Sequence, residues 1–447
     1  MQLPRGIKLY VITISLLLAG ACSAFAQNDK EEIGEVTIEV KPGNKNAIFK
    51  DNEPIDYKLK IKSTYQKAQD GKLTYNILTD DFTRISTNSI PVHLTKNSAE
   101  TYTVNIPKKT PGFYRVNFIL NTTTYDDTIK KVFGVSPEKI VTQLHRPADF
   151  DAFWKGTLDT LKQVAPNYKV TFRKELSTKA KKVYLVEMRS YENIMIRGWL
   201  VIPTYNAKSL PVHYRLPGYV VGLKPNMDND DFIAFDLNVR GNGNARDEIA
   251  VGTETYCLIN IENRNKYIYR GVYMDCIRGL DFLMSHKSLG IDTSRIYIEA
   301  GSQGAALGIA TAALDKRVTV LTVQVPLYSD IRDSWHISSF YDEQVMPFKQ
   351  FRNYNRSHPD FTWDKFFKLF DYFDPQNFAP NIKCPVLMGV GLLDQFCPPR
   401  CSLSMYNHLG TSPGEKEWVS VPNSTHEVNF DYFTFQNNWL REKFRIP

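Results

Sequence analysis

Ala300-Gly301-Ser302-Gln303-Gly304 is the stretch that decides the fold of this chain. It joins a strand-like run at 295–299 to a small-residue helix pattern at 305–315, the context of a nucleophile elbow. A serine in so tight a turn needs small residues two positions before and two positions after it, where the strand and helix backbones nearly touch. Ala300 and Gly304 meet that need, although the usual pattern carries glycine at the first position and alanine adds one methyl. Ser302 is therefore the candidate nucleophile.

The elbow needs a base and an acid in the chain order serine, aspartate or glutamate, histidine. Only His336, His358, His408 and His426 follow Ser302. His426 stands after the apolar run 418–421 and a short loop, before a helix predicted over 430–444, so it sits where a strand-end base belongs. His408 falls at a predicted helix end and reads as a surface or capping residue. For the acid, 385–391 reads as a fully buried strand, and Asp394 falls just past its end, on the edge that carries chemistry in such sheets. Taken alone, Asp394 beside proline is an ordinary turn or cap residue. In order with Ser302 and His426, it completes a triad.

The tetrahedral oxyanion of acyl transfer needs preorganised donors, one being the backbone N–H after the nucleophile, here Gln303. The run 211–216 predicts an earlier strand ending in Pro217-Gly218-Tyr219. Pro217 has no N–H to give, so Tyr219 is the better second donor, its other reading being an ordinary turn aromatic.

From about Pro137 to the C-terminus the chain resembles the acetyl xylan esterase and cephalosporin C deacetylase family of α/β-hydrolases. The resemblance is carried by 147–154, Val239-Arg240-Gly241-Asn242-Gly243, Tyr269-Arg270-Gly271-Val272-Tyr273, Gly301-Ser302-Gln303-Gly304, Tyr372-Phe373-Asp374, 391–399 and His426-Glu427. It implies Ser302, Asp394 and His426 as triad, and Gln303 and Tyr219 as oxyanion donors. Arg240, Gly241 and Gly304 would support the site, Arg240 as a buried ionic brace rather than a substrate contact. Two departures stand out. Pro217 replaces the family's histidine before Gly-Tyr, and Asn242 replaces a glutamine one methylene longer, so substrate fit is expected to differ. The resemblance also implies ring-shaped homo-oligomers, which an added N-terminal region would block or replace.

With 447 residues, 43% hydrophobic and 23% charged, the chain has the composition of a large globular protein. Arg5 and Lys8, an apolar stretch at 9–18 and Ala24-Phe25-Ala26 have the build of a secretory signal over 1–26, too short to span a membrane. Periplasmic or extracellular export is expected. Cys22 is a lipidation candidate, though the leucine such sites favour stands one position too early. Of the six cysteines, Cys257, Cys276, Cys384, Cys397 and Cys401 remain after cleavage. They read as buried free thiols, with a Cys397–Cys401 pair as the alternative. No metal or organic cofactor is expected. The net charge of +7 is spread along the chain, which does not suggest nucleic acid.

Between the signal and Pro137, period-two runs at 36–40, 57–61, 101–105 and 114–118 predict an all-β, immunoglobulin-like sandwich over 27–136, of about seven strands. All six tryptophans lie at Trp154 or later, so a packing or lid role is favoured over sugar binding. The region 137–447 alternates strand and helix signals, predicting a doubly wound, mostly parallel sheet. Its segment 330–373 is expected to form a helical cap, with Trp335, Tyr341 and Phe348 either on its inner face or in its core.

The expected function is a secreted serine esterase that removes acetyl groups from carbohydrate, acetylated xylan or xylo-oligosaccharides first. The alternatives are a prolyl-oligopeptidase-like peptidase and a non-catalytic glycan-binding protein on a hydrolase scaffold. Gln303 after the serine and a β region too short for a propeller weigh against the first, the intact triad against the second.

Overall fold

The computed structural model describes residues 34–205, 209–228, 230–249, 252–340 and 345–446. The expected signal over 1–26, Cys22 within it, and Tyr341 lie outside the described residues.

The alternating N-terminal segments are strands: β1 (Val36–Pro42), β2 (Ile48–Phe49), β3 (Ile55–Ser63), β4 (Gln69–Thr79), β5 (Arg84–Leu94), β6 (Ala99–Ile106), β7 (Gly112–Thr122) and β8 (Asp126–Val135). They form two sheets, ordered β1-β3-β6 and β2-β8-β7-β4-β5. In β3 every second residue from Ile55 to Ser63 is buried, the period that leaves one face of a strand on the core. Tyr57 of β3 meets Phe118 of β7 at 5.3 Å and Phe133 of β8 at 6.3 Å, so the two sheets touch through aromatic rings. The strand beyond the expected seven is β2, two residues long and too short to alternate.

The second half builds one nine-stranded sheet: β9 (Lys169–Phe172), β10 (Lys181–Arg189), β11 (Met195–Pro203), β12 (Leu210–Leu216), β13 (Ile233–Asn238), β14 (Ile291–Gly301), β15 (Val320–Gln324), β16 (Val386–Gly391) and β17 (Lys416–Val421). The order is β17-β16-β15-β14-β12-β13-β11-β10-β9. The strands β12 to β17 pair in parallel, and β9 to β11 add an antiparallel flank. This is the mixed, mostly parallel sheet of an α/β-hydrolase. Every residue of β13, β15 and β16 is buried, so burial does not alternate along them; β16 is an apolar run, while β13 carries Asp236 and Asn238 and β15 carries Thr322 and Gln324.

Around the sheet lie α1 (Phe150–Lys162), α2 (Ile268–Ser285), α3 (Gln303–Leu314), α4 (Ile331–Ser338), α5 (Phe348–Ser357), α6 (Trp363–Phe370), α7 (Pro375–Phe378), α8 (Pro399–Asn407) and α9 (Phe430–Phe444). Two stretches far apart in sequence meet here. Trp154 of α1, 1% exposed, donates its indole N–H to the Tyr372 carbonyl at 3.1 Å and packs against Tyr273, Phe373 and Phe378. Burying an indole of that size stabilises by roughly 4–6 kcal/mol at ~25 cal/mol per Å².

Parallel strands put their C-terminal ends on one edge, so the loops after β12, β13, β14, β16 and β17 converge there. A tight crossing lies at the first turn of α3, where a Cβ on Gly304 would stand 2.6 Å from the Leu216 carbonyl oxygen and 3.1 Å from that of Pro217. Backbone cannot yield there as a flexible side chain would. Gly304→Val should therefore destabilise the chain by about 1–3 kcal/mol or more, the range of overpacked cores. Urea unfolding would show it, and an unchanged midpoint would mean that this crossing is not tight.

Candidate active site

Ser302 sits at φ 57° and ψ −124°, a left-handed backbone that costs a non-glycine residue on the order of 1–3 kcal/mol. The surroundings impose it. The Ser302 N–H donates to the Gln324 carbonyl at 2.9 Å, while its own carbonyl accepts from Ala305 at 3.0 Å and Leu327 at 3.1 Å. The hydroxyl is thereby turned outward from the strand end.

The structure brings the three candidate residues together. His426 Nε2 lies 2.8 Å from Ser302 Oγ, and its Nδ1 lies 2.9 Å from Asp394 Oδ2. The other carboxylate oxygen of Asp394 accepts the N–H groups of Phe396 at 2.8 Å and Cys397 at 2.9 Å. Burial pushes the Asp394 carboxyl up, and the His426 ring and these two N–H groups oppose that push. A carboxylate on Nδ1 fixes the tautomer that leaves Nε2 free to accept the serine proton.

Gln303 follows the serine in the chain, and Tyr219 lines the same cavity as Ser302. As the first residue of α3, Gln303 has a backbone N–H without an intrahelical partner, and that of Tyr219 makes no backbone hydrogen bond. The Gln303 side chain, wholly buried, does more than the sequence indicated. It accepts from the Tyr269 hydroxyl at 2.5 Å and donates to the Gly218 carbonyl at 3.3 Å, pinning the loop that carries Tyr219. The Tyr219 hydroxyl is anchored as well, donating to Thr253 at 2.8 Å and accepting from the Cys257 N–H at 3.1 Å.

Arg240, 2% exposed, takes a buried ionic position behind this loop. Its guanidinium donates to both carboxylate oxygens of Asp275 at 2.8 Å and to the Tyr191 carbonyl at 2.8 Å, with Glu192 at 3.2 Å. A Cβ on Gly271 would lie 2.1 Å from Arg240 Nη1, which explains a glycine in the first turn of α2. Tyr256 donates to the Arg240 carbonyl at 2.9 Å and meets the Tyr219 ring edge-on at 5.8 Å, linking brace to loop. Gly241, at φ +76°, makes room for the Tyr256 ring at 2.8 Å from its would-be Cβ. Asn242 is wholly buried, with no hydrogen-bond partner for its amide among the described residues, and it does not line the cavity at Ser302. A direct effect of Asn242 on substrate fit is therefore not what the structure offers.

That cavity, about 150 Å³, is lined by Tyr219, Ser302, Leu327, Met346, Pro347, Phe396 and His426. Trp335 and Phe348 pack within the cap instead, Trp335 on Trp363 and Phe348 on Phe351. Of the apolar wall, Leu327, Met346 and Pro347 carried no motif in the sequence, and Phe396 lay in the quoted stretch 391–399 without an assigned role. Tyr269 did lie in a quoted stretch, without an assigned role.

His408 caps α8 and lies 3.0 Å from the Thr142 carbonyl, away from the cavity. All five described cysteines are free thiols, four of them buried. Among the described residues, Asp394, Cys397 and His426 are the histidine, cysteine and acidic side chains close enough to share an ion, within 4.8 Å of one another. An ion there would compete with the hydrogen bonds of His426.

Comparison with known proteins agrees with this architecture. The family model for acetyl xylan esterase matches residues 138–443. The chain is 27% identical over 452 residues to the acetyl esterase Axe7A of Xylanibacter ruminicola, covering 98% of this chain and 97% of that protein. Among solved structures, an acetyl xylan esterase from Paenibacillus sp. R4 superposes with a TM-score of 0.61 at 28% identity, over 68% of this chain and 98% of its own. Acetyl xylan esterase 1 from Thermoanaerobacterium sp. JW/SL YS485 shares the fold with the same TM-score at 21% identity, over 69% and 98%.

Removing one member of a buried ion pair leaves the other uncompensated, a cost of about 3–5 kcal/mol. Arg240→Met should lower stability by that much, while Arg240→Met with Asp275→Leu should recover most of it. Chemical denaturation of both variants measures this, and a single variant costing under ~1 kcal/mol would show that Arg240 is no brace.

Proposed function

The chain belongs to the acetyl xylan esterase family and is a carboxylic ester hydrolase, and from that premise we propose that it is an exported serine deacetylase of xylan or xylo-oligosaccharides. The observation that carries the reading is the hydrogen-bonded line from Ser302 through His426 to Asp394, opening on a cavity of only about 150 Å³.

In this mechanism Ser302 Oγ attacks the ester carbonyl carbon as His426 Nε2 takes its proton. Asp394 stabilises the imidazolium that forms. The backbone N–H groups of Gln303 and Tyr219 receive the negative charge on the tetrahedral oxygen. Collapse expels the sugar hydroxyl, which takes the proton from His426, and leaves an acetyl-enzyme. A water, deprotonated by His426, then attacks the acetyl carbon and releases acetate and free Ser302. The wall of Leu327, Met346, Pro347 and Phe396 suits a methyl and leaves little room for a longer acyl chain. Arg240, Gly241 and Gly304 act by holding the loops rather than by touching substrate.

The segment 1–26 is read as an export signal, 27–136 as an immunoglobulin-like sandwich domain and 137–447 as the esterase domain. No helix among the described residues is long and apolar enough to cross a membrane. The β region packs on the esterase: Lys131 donates to Asn423 at 2.7 Å, Ser420 to the Asn46 carbonyl at 2.8 Å, and Arg400 lies 3.7 Å from Asp80. Those contacts favour a packing role. Light scattering would establish whether the family's ring assembly survives the added region.

Acetate release from acetylated xylo-oligosaccharides, beside nitrophenyl esters of rising chain length, tests the proposal. Wild type should cleave the acetyl substrates and lose rate steeply with longer chains. Ser302→Ala should lose activity by orders of magnitude, and Asp394→Asn about 10⁴-fold in kcat, since amide in place of carboxylate favours the wrong histidine tautomer. Cleavage of nitrophenyl acetate alone would leave the mechanism and remove the sugar. An active Ser302→Ala would remove the mechanism.

A further inference from the structure

Outside the Ser302 cavity, a second and larger hollow of about 620 Å³ lies where the β region meets the esterase sheet. One wall comes from β1, β3 and β8, and the other from β17, its following loop and the start of α9. The size is that of a ligand site, commonly ~300–1,000 Å³. Its chemistry is uneven. Lys41, Lys45 and Lys131 line it against a single acid, Asp431. Lys41 also pairs with Glu39 at 2.6 Å, whereas the partner of Lys131 among the described residues is the neutral Asn423 amide at 2.7 Å. Burial lowers the Lys131 ammonium from its ordinary value, the mark of a cation held without a counter-charge.

Two further features bear on what would fit. Phe435 of α9 stands 37% exposed in the hollow, a flat apolar surface beside amide and ammonium donors. Tyr57, which reaches it from β3, is 1% exposed and its hydroxyl has no hydrogen-bond partner among the described residues. An apolar ring face edged by hydroxyls, carrying a carboxylate, answers to all of these at once. The wall is also continuous with the catalytic loop, because Asn423 stands three residues before His426.

We infer that this hollow is a second saccharide site, taking the uronic-acid substituent of a xylo-oligosaccharide with its carboxylate on Lys45 and Lys131. The inference rests on the deacetylase reading for its choice of sugar. It gives the β region a binding role beyond packing, in which a long substrate is held on the base-bearing side of the esterase.

The test is titration of full-length Ser302→Ala protein with an unacetylated xylo-oligosaccharide bearing one uronic acid, and with its neutral counterpart, followed by calorimetry. The acidic sugar should bind about tenfold more tightly, the equivalent of one charge-assisted contact, and should lose that advantage at high salt. Lys45→Glu with Phe435→Ala on the same background should abolish the preference. Both side chains are solvent-accessible, and an unchanged melting temperature reports that the fold is kept. Equal binding of the two sugars, or a preference untouched by the double substitution, overturns the inference. Wild-type protein that cleaves no acetyl ester would instead overturn the deacetylase reading, which the titration does not depend on.

Discussion

The backbone of Ser302 is the constraint on which the site depends. Its positive φ is uphill for a side-chain-bearing residue, and it persists because the chain on every side is already fixed. Strand β14 ends at Gly301, α3 begins at Gln303, and the Gln324 and Leu327 backbones hold the serine's own N–H and carbonyl. A turn this sharp works only where the helix can start against the neighbouring strand, and Gly304 beside the Leu216 carbonyl provides that approach. The same contact that lets the turn form brings the loop after β12, with Tyr219, to the serine.

A second layer holds the first. The Gln303 side chain ties Tyr269 to Gly218, and Arg240 ties the loop after β13 to Asp275 and Tyr191. These are buried polar groups whose partners are supplied by other buried groups, so they rigidify only as a set. Asn242 departs from this, a buried amide without a partner among the described residues, at the position where the resembling family carries a longer side chain. Asn244 Nδ2 in the same loop is likewise buried without a partner among the described residues, and Asn242 is not among the residues lining the cavity at Ser302.

Much of the architecture was legible in the sequence, for reasons that differ by element. Buried parallel strands such as β16 announce themselves as unbroken apolar runs, and α9 occupies the predicted span Phe430–Phe444. Alternation pointed to β1, β3, β6 and β7 among the N-terminal strands, whereas β2 is too short to alternate. Legible too was the order of Ser302, Asp394 and His426, because each stands just beyond a strand end. The cap was harder to read. Aromatic residues there serve equally well as core and as cavity wall, and Trp335 and Phe348 turned out to pack on their own neighbours while Met346 and Pro347 reached the cavity.

Sequence by itself determined most of the elements and the chain order of the three candidate residues, because period, punctuation and small residues at a tight turn are local properties. Only the tertiary structure decided the distances of 2.8 and 2.9 Å along Ser302, His426 and Asp394, since those depend on the stacking order of β14, β16 and β17 in one sheet. It alone set the second use of Gln303, the partners of Arg240 and the hollow between the β region and the esterase. Each of these joins residues tens to hundreds of positions apart, and no local pattern encodes which buried donor will find which acceptor.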